Sequence, residues 1–170
     1  NALLVSAEYI RVNTPVTLTP LEIVQRLQTG VMARLRQEVP WRPGALELLT
    51  ALRAADVPCA LVTMSWRLMV DVIVEMLPEG TFAAVVTGDE VQRGKPDPDP
   101  YERAAAMLGV APGDCVAIED SVTGSDSAHA SGARTIVVPH VVSVEARPGL
   151  TVLPGLVGVT PRDLLRLTAR

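Results

Sequence analysis

Short apolar segments alternate with helix-forming segments from residue 45 onward, and few folds accommodate this alternation. The apolar segments are Cys59 to Val62, Phe82 to Val86, Cys115 to Ile118 and Thr135 to Val138. Each is too short for a core helix and is bounded by turn residues, which is typical of buried strands. Apolar strands joined through helices form parallel sheets that are covered on both faces. The chain is therefore predicted to contain a doubly wound α/β core.

Helices are predicted between these strands from apolar spacing and from capping residues. They lie from Ala45 onward, from near Ser65, around Tyr101 to Leu108, near Asp126 to Ala130 and after Thr160. Residues 139–159 contain three prolines and are predicted to be irregular.

An N-terminal unit is predicted to precede the core. Thr19-Pro20-Leu21-Glu22 is a capping sequence followed by apolar residues at helical spacing, which predicts a helix to about Glu38. Pro40 and Pro43-Gly44 then interrupt the pattern. The interpretation is a boundary that separates residues 1–40 from residues 41–170.

Composition excludes several classes of protein. The net charge is -4 without a basic cluster, so a nucleic acid is not an expected partner. No apolar run is long enough for a membrane span, and the opening NALLVSAEYI lacks the basic segment of a signal peptide, so a cytoplasmic location is expected. Cys59 and Cys115 lie inside predicted strands and are interpreted as small apolar residues rather than as disulfide partners or metal ligands.

Polar residues follow each predicted strand. They are Thr63-Met64-Ser65, then Gly94-Lys95-Pro96 in the loop after the second strand, then Glu119-Asp120-Ser121, and finally Pro139-His140. Ligands of open parallel sheets bind at the carboxyl ends of the strands, so these residues are expected to meet at one edge.

The residue types at this edge suit a phosphoryl group bridged to Mg²⁺. Magnesium is held by one or two protein carboxylates with substrate and water oxygens, which Glu119 and Asp120 would complement. Lys95 would neutralise phosphate oxygens, and the Thr63 hydroxyl with the following backbone amides would surround them. Structural alternatives are open for each: Thr63 ends a strand and Ser65 caps a helix, Lys95 is a solvated loop charge, or the acid pair ends a strand and caps the next helix.

Three motifs carry a resemblance to a known family: WRPGALELLTALRAADVPCALVTMS, VVTGDEVQRGKPDPDPY and AIEDSVTGSDSAHASGA. They resemble the haloacid dehalogenase superfamily, in its phosphatase and β-phosphoglucomutase-like branch with a small helical cap. The resemblance implies a magnesium-dependent phosphatase that acts on a small phosphorylated metabolite, of the sugar phosphate class, through an aspartyl-phosphate intermediate. It also implies that Thr63 and Lys95 are catalytic, that Met64 and Ser65 help to bind phosphate, and that Glu119 and Asp120 bind Mg²⁺.

The sequence departs from the family pattern in two places. Met64 stands where asparagine or glycine is often found, and no DxDGT motif, which carries the nucleophilic aspartate, occurs in the chain. The resemblance then implies that residues 1–40 are the C-terminal part of the cap and that residues 41–170 are the core without its first, central strand. By itself such a chain is expected to be inactive. A phosphomutase of the β-phosphoglucomutase type, or a non-catalytic module that kept the fold, are the alternatives.

Overall fold

A computed structural model describes residues 2–140 and 143–167. Its helices are α1 (Ala2–Asn13), α2 (Pro20–Leu35), α3 (Ala45–Ala54), α4 (Arg67–Val74), α5 (Asp99–Leu108), α6 (Val122–Ala130) and α7 (Pro161–Leu167). Its strands are β1 (Ala60–Val62), β2 (Ala84–Val86), β3 (Val116–Glu119), β4 (Arg134–Val137) and β5 (Leu150–Val152). The order of the elements from α3 onward is that of a helix-covered parallel sheet.

All strand pairs in the described ranges are parallel, and they form two sheets. β1 pairs with β2, and separately β3, β4 and β5 form a sheet in that order. Within residues 2–140 and 143–167 no ladder joins β1 to β3, so each of these strands has one unpaired edge. The predicted doubly wound α/β fold is confirmed.

The main core cluster joins helices from both ends of the core to the second sheet. Leu48 and Leu52 of α3, Ile136 of β4, Val138 and Leu164 of α7 are buried together. Their burial fixes β4 between its neighbours, which places the carboxyl ends of β3 and β4 side by side.

Helix α2 begins as the sequence predicts. The Thr19 side chain accepts a hydrogen bond from the Glu22 amide at 3.3 Å, and the Glu22 carboxylate accepts one from the Thr19 amide at 2.8 Å. This reciprocal cap satisfies two amides that the first turn leaves without helical partners. α2 packs against α1, and Ala7, Ile23 and Val24 form a buried cluster on which Trp66 also packs. The N-terminal hairpin therefore contacts the start of α4.

Two helix starts and one strand differ from the sequence-based prediction. α4 begins at Arg67 after Trp66 rather than near Ser65, and α6 begins at Val122 rather than near Asp126, because Ser121 supplies the cap. Residues 139–159 include β5, which sequence reasoning missed because prolines flank it. Prolines are tolerated beside an edge strand, where an amide can remain unpaired, and β5 is the edge of its sheet. No helix in the described ranges combines the length and the apolar character of a membrane span.

Candidate active site

A cavity of about 450 Å³ opens at the carboxyl ends of β1 and β3. Its wall includes Val62 at the end of β1 and Ile118 near the end of β3, so it lies where the two sheets face each other. Five predicted site residues also line it: Thr63, Met64, Lys95, Glu119 and Asp120. Ser65 and His140 are not among the lining residues. The expected convergence at one edge of the sheet is therefore found for most of the predicted site.

Lys95 forms a buried ion pair with Glu119. Only 10% of the Lys95 side chain and 6% of the Glu119 side chain are exposed, so water screens their charges weakly. Lys95 Nζ also donates a hydrogen bond to the Val62 carbonyl at 3.0 Å. Because Val62 belongs to β1 and Glu119 to β3, the lysine ammonium links the carboxyl ends of the two sheets. The alternative of a solvated loop charge does not describe this lysine.

Both oxygens of the Glu119 carboxylate are occupied by donors. One accepts from Lys95 and from the Tyr101 hydroxyl, and the other accepts from the Asp120 amide at 3.2 Å and the Ser121 hydroxyl at 3.3 Å. Such a set of donors stabilises a buried carboxylate, which would otherwise be costly to desolvate. Glu119 is thus a charged acceptor held within the protein.

Tyr101 is a site residue that sequence reasoning missed, since it was interpreted only as part of a helix. Its hydroxyl donates to Glu119, and its ring lies beneath the Lys95 ammonium with 5.0 Å between Nζ and the ring centroid. Burial, followed by the negative charge of Glu119, raises the pKa of the Tyr101 phenol far above its usual value. The phenol therefore remains a neutral donor. The sequence feature that could have identified Tyr101 is its position shortly after Lys95 in the motif GKPDPDPY.

Gly124 makes room for the Glu119 carboxylate at the start of α6. A Cβ atom on Gly124 would lie closer than 3.0 Å to all three atoms of that carboxylate group, a separation that real Cβ atoms do not tolerate. The Gly124 amide donates to the Ser121 side chain at 3.0 Å, which makes Ser121 the N-cap of α6. Glu119 does end β3, but neither acid of the pair caps the helix, so the cap in that structural alternative is wrong.

Asp120 also lines the cavity, but unlike the buried Glu119 it is exposed to solvent. Among the residues that the structure describes, its carboxylate makes no hydrogen bond and no ion pair. The same residues contain no group of three His, Cys, Asp or Glu side chains that would surround a metal ion. Of the two acids that line the cavity, Glu119 and Asp120, Asp120 therefore offers a free carboxylate, which fits the one or two protein carboxylates that magnesium uses.

The loop after β1 is folded against the loop after β2. The Thr63 hydroxyl accepts from the Ser65 amide at 3.1 Å, and the Ser65 carbonyl accepts from the Gly88 amide at 3.0 Å. A Cβ atom on Gly88 would lie closer than 3.0 Å to the Met64 carbonyl, so only glycine fits there. The N-cap of α4 is Trp66. Ser65 therefore does not cap that helix, and its amide is turned toward Thr63.

Arg42 is a second cation in the cavity wall that sequence reasoning missed. Its guanidinium donates to the Val138 carbonyl at 3.2 Å and to the Pro139 carbonyl at 3.1 Å, just beyond β4. A cation bonded to carbonyls at a strand end adds positive potential to the cavity. Its sequence signal was the position directly before Pro43-Gly44, where the chain enters the core.

The fold and the site define a doubly wound α/β protein with a charged cavity at the carboxyl edge of its sheets. The family model described as haloacid dehalogenase-like hydrolase matches residues 8–132. That match covers most of the chain, and the chain therefore belongs to the haloacid dehalogenase-like hydrolases.

Relatives with assigned names are similar over part of their length. Protein CbbY of Rhodobacter capsulatus is 39% identical over 123 residues, which are 70% of this chain and 50% of that protein. Hexitol phosphatase A of Escherichia coli is 38% identical over 120 residues, which are 71% of this chain and 52% of that protein. The chain thus spans about half the length of these relatives.

Solved structures agree with the fold. CbbY from Rhodobacter sphaeroides, in complex with xylulose-(1,5)-bisphosphate, superposes with a TM-score of 0.81 at 26% identity, covering 94% of this chain and 75% of that one. A β-phosphoglucomutase from Clostridium difficile superposes with a TM-score of 0.78 at 16% identity, covering 98% of this chain and 76% of that one. The second comparison supports the fold alone.

Proposed function

We propose that this chain is part of a magnesium-dependent phosphatase that acts on a small phosphorylated metabolite of the sugar phosphate class. One observation carries the proposal: the buried Lys95–Glu119 pair lies beside the free Asp120 carboxylate in one cavity. A fixed cation next to an unpaired carboxylate is what a phosphoryl group and its metal require. The similarity to a hexitol phosphatase and to CbbY supports the substrate class.

Each residue has a proposed role in the reaction. Lys95 stabilises negative charge on the transferring phosphoryl group, and Thr63 donates a hydrogen bond to it from its hydroxyl. Asp120 would hold Mg²⁺, which when bound neutralises charge on phosphate oxygens. Glu119 fixes the Lys95 ammonium together with Tyr101, and its role as a metal ligand beside Asp120 stays a prediction. Met64 lines the cavity beside Thr63, and Ser65 supports the phosphate-facing loop by donating a hydrogen bond from its amide to the Thr63 hydroxyl.

The nucleophile is proposed to lie outside these residues. We propose that residues 1–40 are part of a helical cap and that residues 41–170 form a core that takes one more strand between β1 and β3. The unpaired edges of both strands and the cavity between them are consistent with such a strand. An aspartate on it would attack phosphorus and form an aspartyl-phosphate, which water then hydrolyses. Transfer to a sugar hydroxyl instead of water would make the protein a phosphomutase.

The proposal is tested by assaying the full-length protein with p-nitrophenyl phosphate, with and without magnesium. Turnover is expected to require Mg²⁺. It is expected to fall by about a hundredfold or more in Asp120→Asn, because the metal that would stabilise the transition state loses a charged protein ligand. Asp114→Asn is the matched control, since Asp114 is an exposed acid at the opposite end of β3. Equal rates for the two variants, or turnover that is unaffected by removing magnesium, would contradict the proposal. A hexose phosphate panel with product analysis separates a phosphatase, which releases phosphate, from a mutase, which returns an isomer.

A further inference from the structure

The side chain of Met64 reaches the backbone of the loop that carries Lys95. The Lys95 amide donates a hydrogen bond to the Met64 sulfur at 3.1 Å. A Cβ atom on the preceding residue, Gly94, would lie 3.0 Å from that same sulfur. The thioether therefore fills the space directly beside the Gly94–Lys95 peptide, and the absence of a side chain on Gly94 permits this approach.

The hydrogen bond to the Met64 sulfur holds the Lys95 backbone from outside its own loop. Lys95 lies between β2 and α5, in a segment without helix or strand. Within residues 2–140 and 143–167, the bond to the Met64 sulfur is the only hydrogen bond of the Lys95 backbone. Met64 itself is fixed because its carbonyl packs against Gly88. The loop after β1 thus determines where the lysine side chain begins.

The other end of the same lysine must meet three partners at once. Its ammonium contacts the Glu119 carboxylate, the Val62 carbonyl and the Tyr101 ring. A shift of the backbone at Lys95 would break this arrangement, since the side chain would have to adopt other rotamers to reach all three. Small displacements of a catalytic group reduce rates strongly, because orientation accounts for much of the rate.

We infer that Met64 is a positioning residue, whose thioether holds the Lys95 loop so that the ammonium reaches the phosphoryl site. The inference rests on the proposed function, in which Lys95 stabilises the transferring group. An unbranched, polarizable thioether suits this place, because it fills an irregular gap and its sulfur accepts a weak hydrogen bond. The Met64 side chain thereby positions Lys95, while Met64 also lines the cavity in which the proposed function places the phosphoryl group.

The test compares three variants of the full-length protein. Met64→Leu preserves the volume and removes the acceptor, Met64→Gln keeps an acceptor at similar reach, and Met69→Leu is a control for a partly buried methionine outside the cavity wall. Loss of one hydrogen bond corresponds to about a threefold to tenfold fall in kcat for p-nitrophenyl phosphate in Met64→Leu, with KM changed less. Met64→Gln is expected to recover most of that loss, and Met69→Leu is expected to match the wild type.

Nuclear magnetic resonance of the Lys95 amide and ammonium gives a readout that does not depend on turnover. In Met64→Leu the amide proton is expected to move upfield and the ammonium resonance to change, while both stay unchanged in Met69→Leu. Unchanged Lys95 resonances in Met64→Leu, or a kcat equal to that of the wild type, would overturn the inference. If the wild-type protein does not hydrolyse the phosphate ester, the proposed function fails, and the two Lys95 resonances then decide alone whether Met64 positions this lysine.

Discussion

Replacement of Gly124 by alanine sets two effects of opposite sign against each other. Alanine is more favourable than glycine inside a helix by about 0.5 to 1 kcal/mol, because glycine loses more backbone entropy on folding. At Gly124, however, the added methyl group would overlap the Glu119 carboxylate, which lies closer than 3.0 Å to the Cβ position. The backbone of α6 is fixed by its cap at Ser121, so the carboxylate has to move.

The size of the effect follows from what the carboxylate gives up. Its oxygen nearest to Gly124 accepts from the Asp120 amide and the Ser121 hydroxyl. Hydrogen bonds to charged groups contribute about 1.5 to 3 kcal/mol each, so the loss of both outweighs the helix gain and leaves Gly124→Ala less stable by about 2 to 5 kcal/mol. The displaced Glu119 would also loosen its ion pair with Lys95, so the proposed phosphatase activity of the full-length protein is expected to fall with stability.

The assay is urea unfolding followed by far-ultraviolet circular dichroism, with Gly30→Ala as the matched control. Gly30 is also a helical glycine, in α2, but apart from its chain neighbours and the backbone of its own helix no atom lies within 4 Å of its Cβ position. Gly30→Ala is therefore expected to stabilise the protein by about 0.5 to 1 kcal/mol. A Gly124→Ala protein as stable as the wild type, beside a stabilised Gly30→Ala protein, would refute the reasoning about the carboxylate.

Three further perturbations have defined outcomes. Tyr101→Phe removes one donor from buried Glu119 and is expected to lower the free energy of unfolding by about 1 to 3 kcal/mol, measured in urea; an unchanged value would show that water replaces the hydroxyl. Lys95→Met leaves the Glu119 charge without its cation and is expected to cost about 3 to 5 kcal/mol in the same assay, even without magnesium; a smaller cost than that of Tyr101→Phe would argue against the ion pair. Hydrogen bonds from Arg67 hold the pKa of Glu90 below its ordinary 4.5, so this pair stabilises the fold above that pH and ceases to do so as the pH falls through the lowered pKa. The melting temperature is therefore expected to change less between about pH 3 and 7 in Glu90→Gln than in the wild type. Plots of melting temperature against pH that run parallel for the two proteins would contradict this.

The strands and the edge at which the site lies were predictable because they depend on local composition. A run such as Cys115 to Ile118 is apolar on both faces, which is typical of a covered parallel strand. The cap at Thr19 was readable for a similar reason, since both of its hydrogen bonds join residues close in sequence. These two predictions, which depend on neighbours in sequence, therefore agreed with the structure, whereas the starts of α4 and α6 were misplaced.

The contacts within the site were not predictable, because they join residues distant in sequence. Adjacency of Glu119 and Asp120 predicts that both lie at the same strand end, but it does not predict which distant residues each one contacts. Glu119, the last residue of β3, turns toward Lys95 and Tyr101, whereas Asp120 stays free. Helix α1 was missed because its residues are apolar on opposite sides: Ala7 is buried, and Val5, Tyr9 and Val12 are exposed. Such a helix lacks the single apolar face on which periodicity reasoning depends.

Trp66 connects the N-terminal hairpin of α1 and α2 with the start of α4. The indole contacts the cluster of Ala7, Ile23 and Val24, while its backbone begins α4 directly after the Thr63 loop. Burial of apolar area contributes about 25 cal/mol per Å², so separating the hairpin from α4 would expose apolar area of Trp66 at a cost in free energy. Trp66 is therefore shared by two parts of the chain: its side chain belongs to the apolar contact with α1 and α2, and its backbone ends the turn that begins at Thr63.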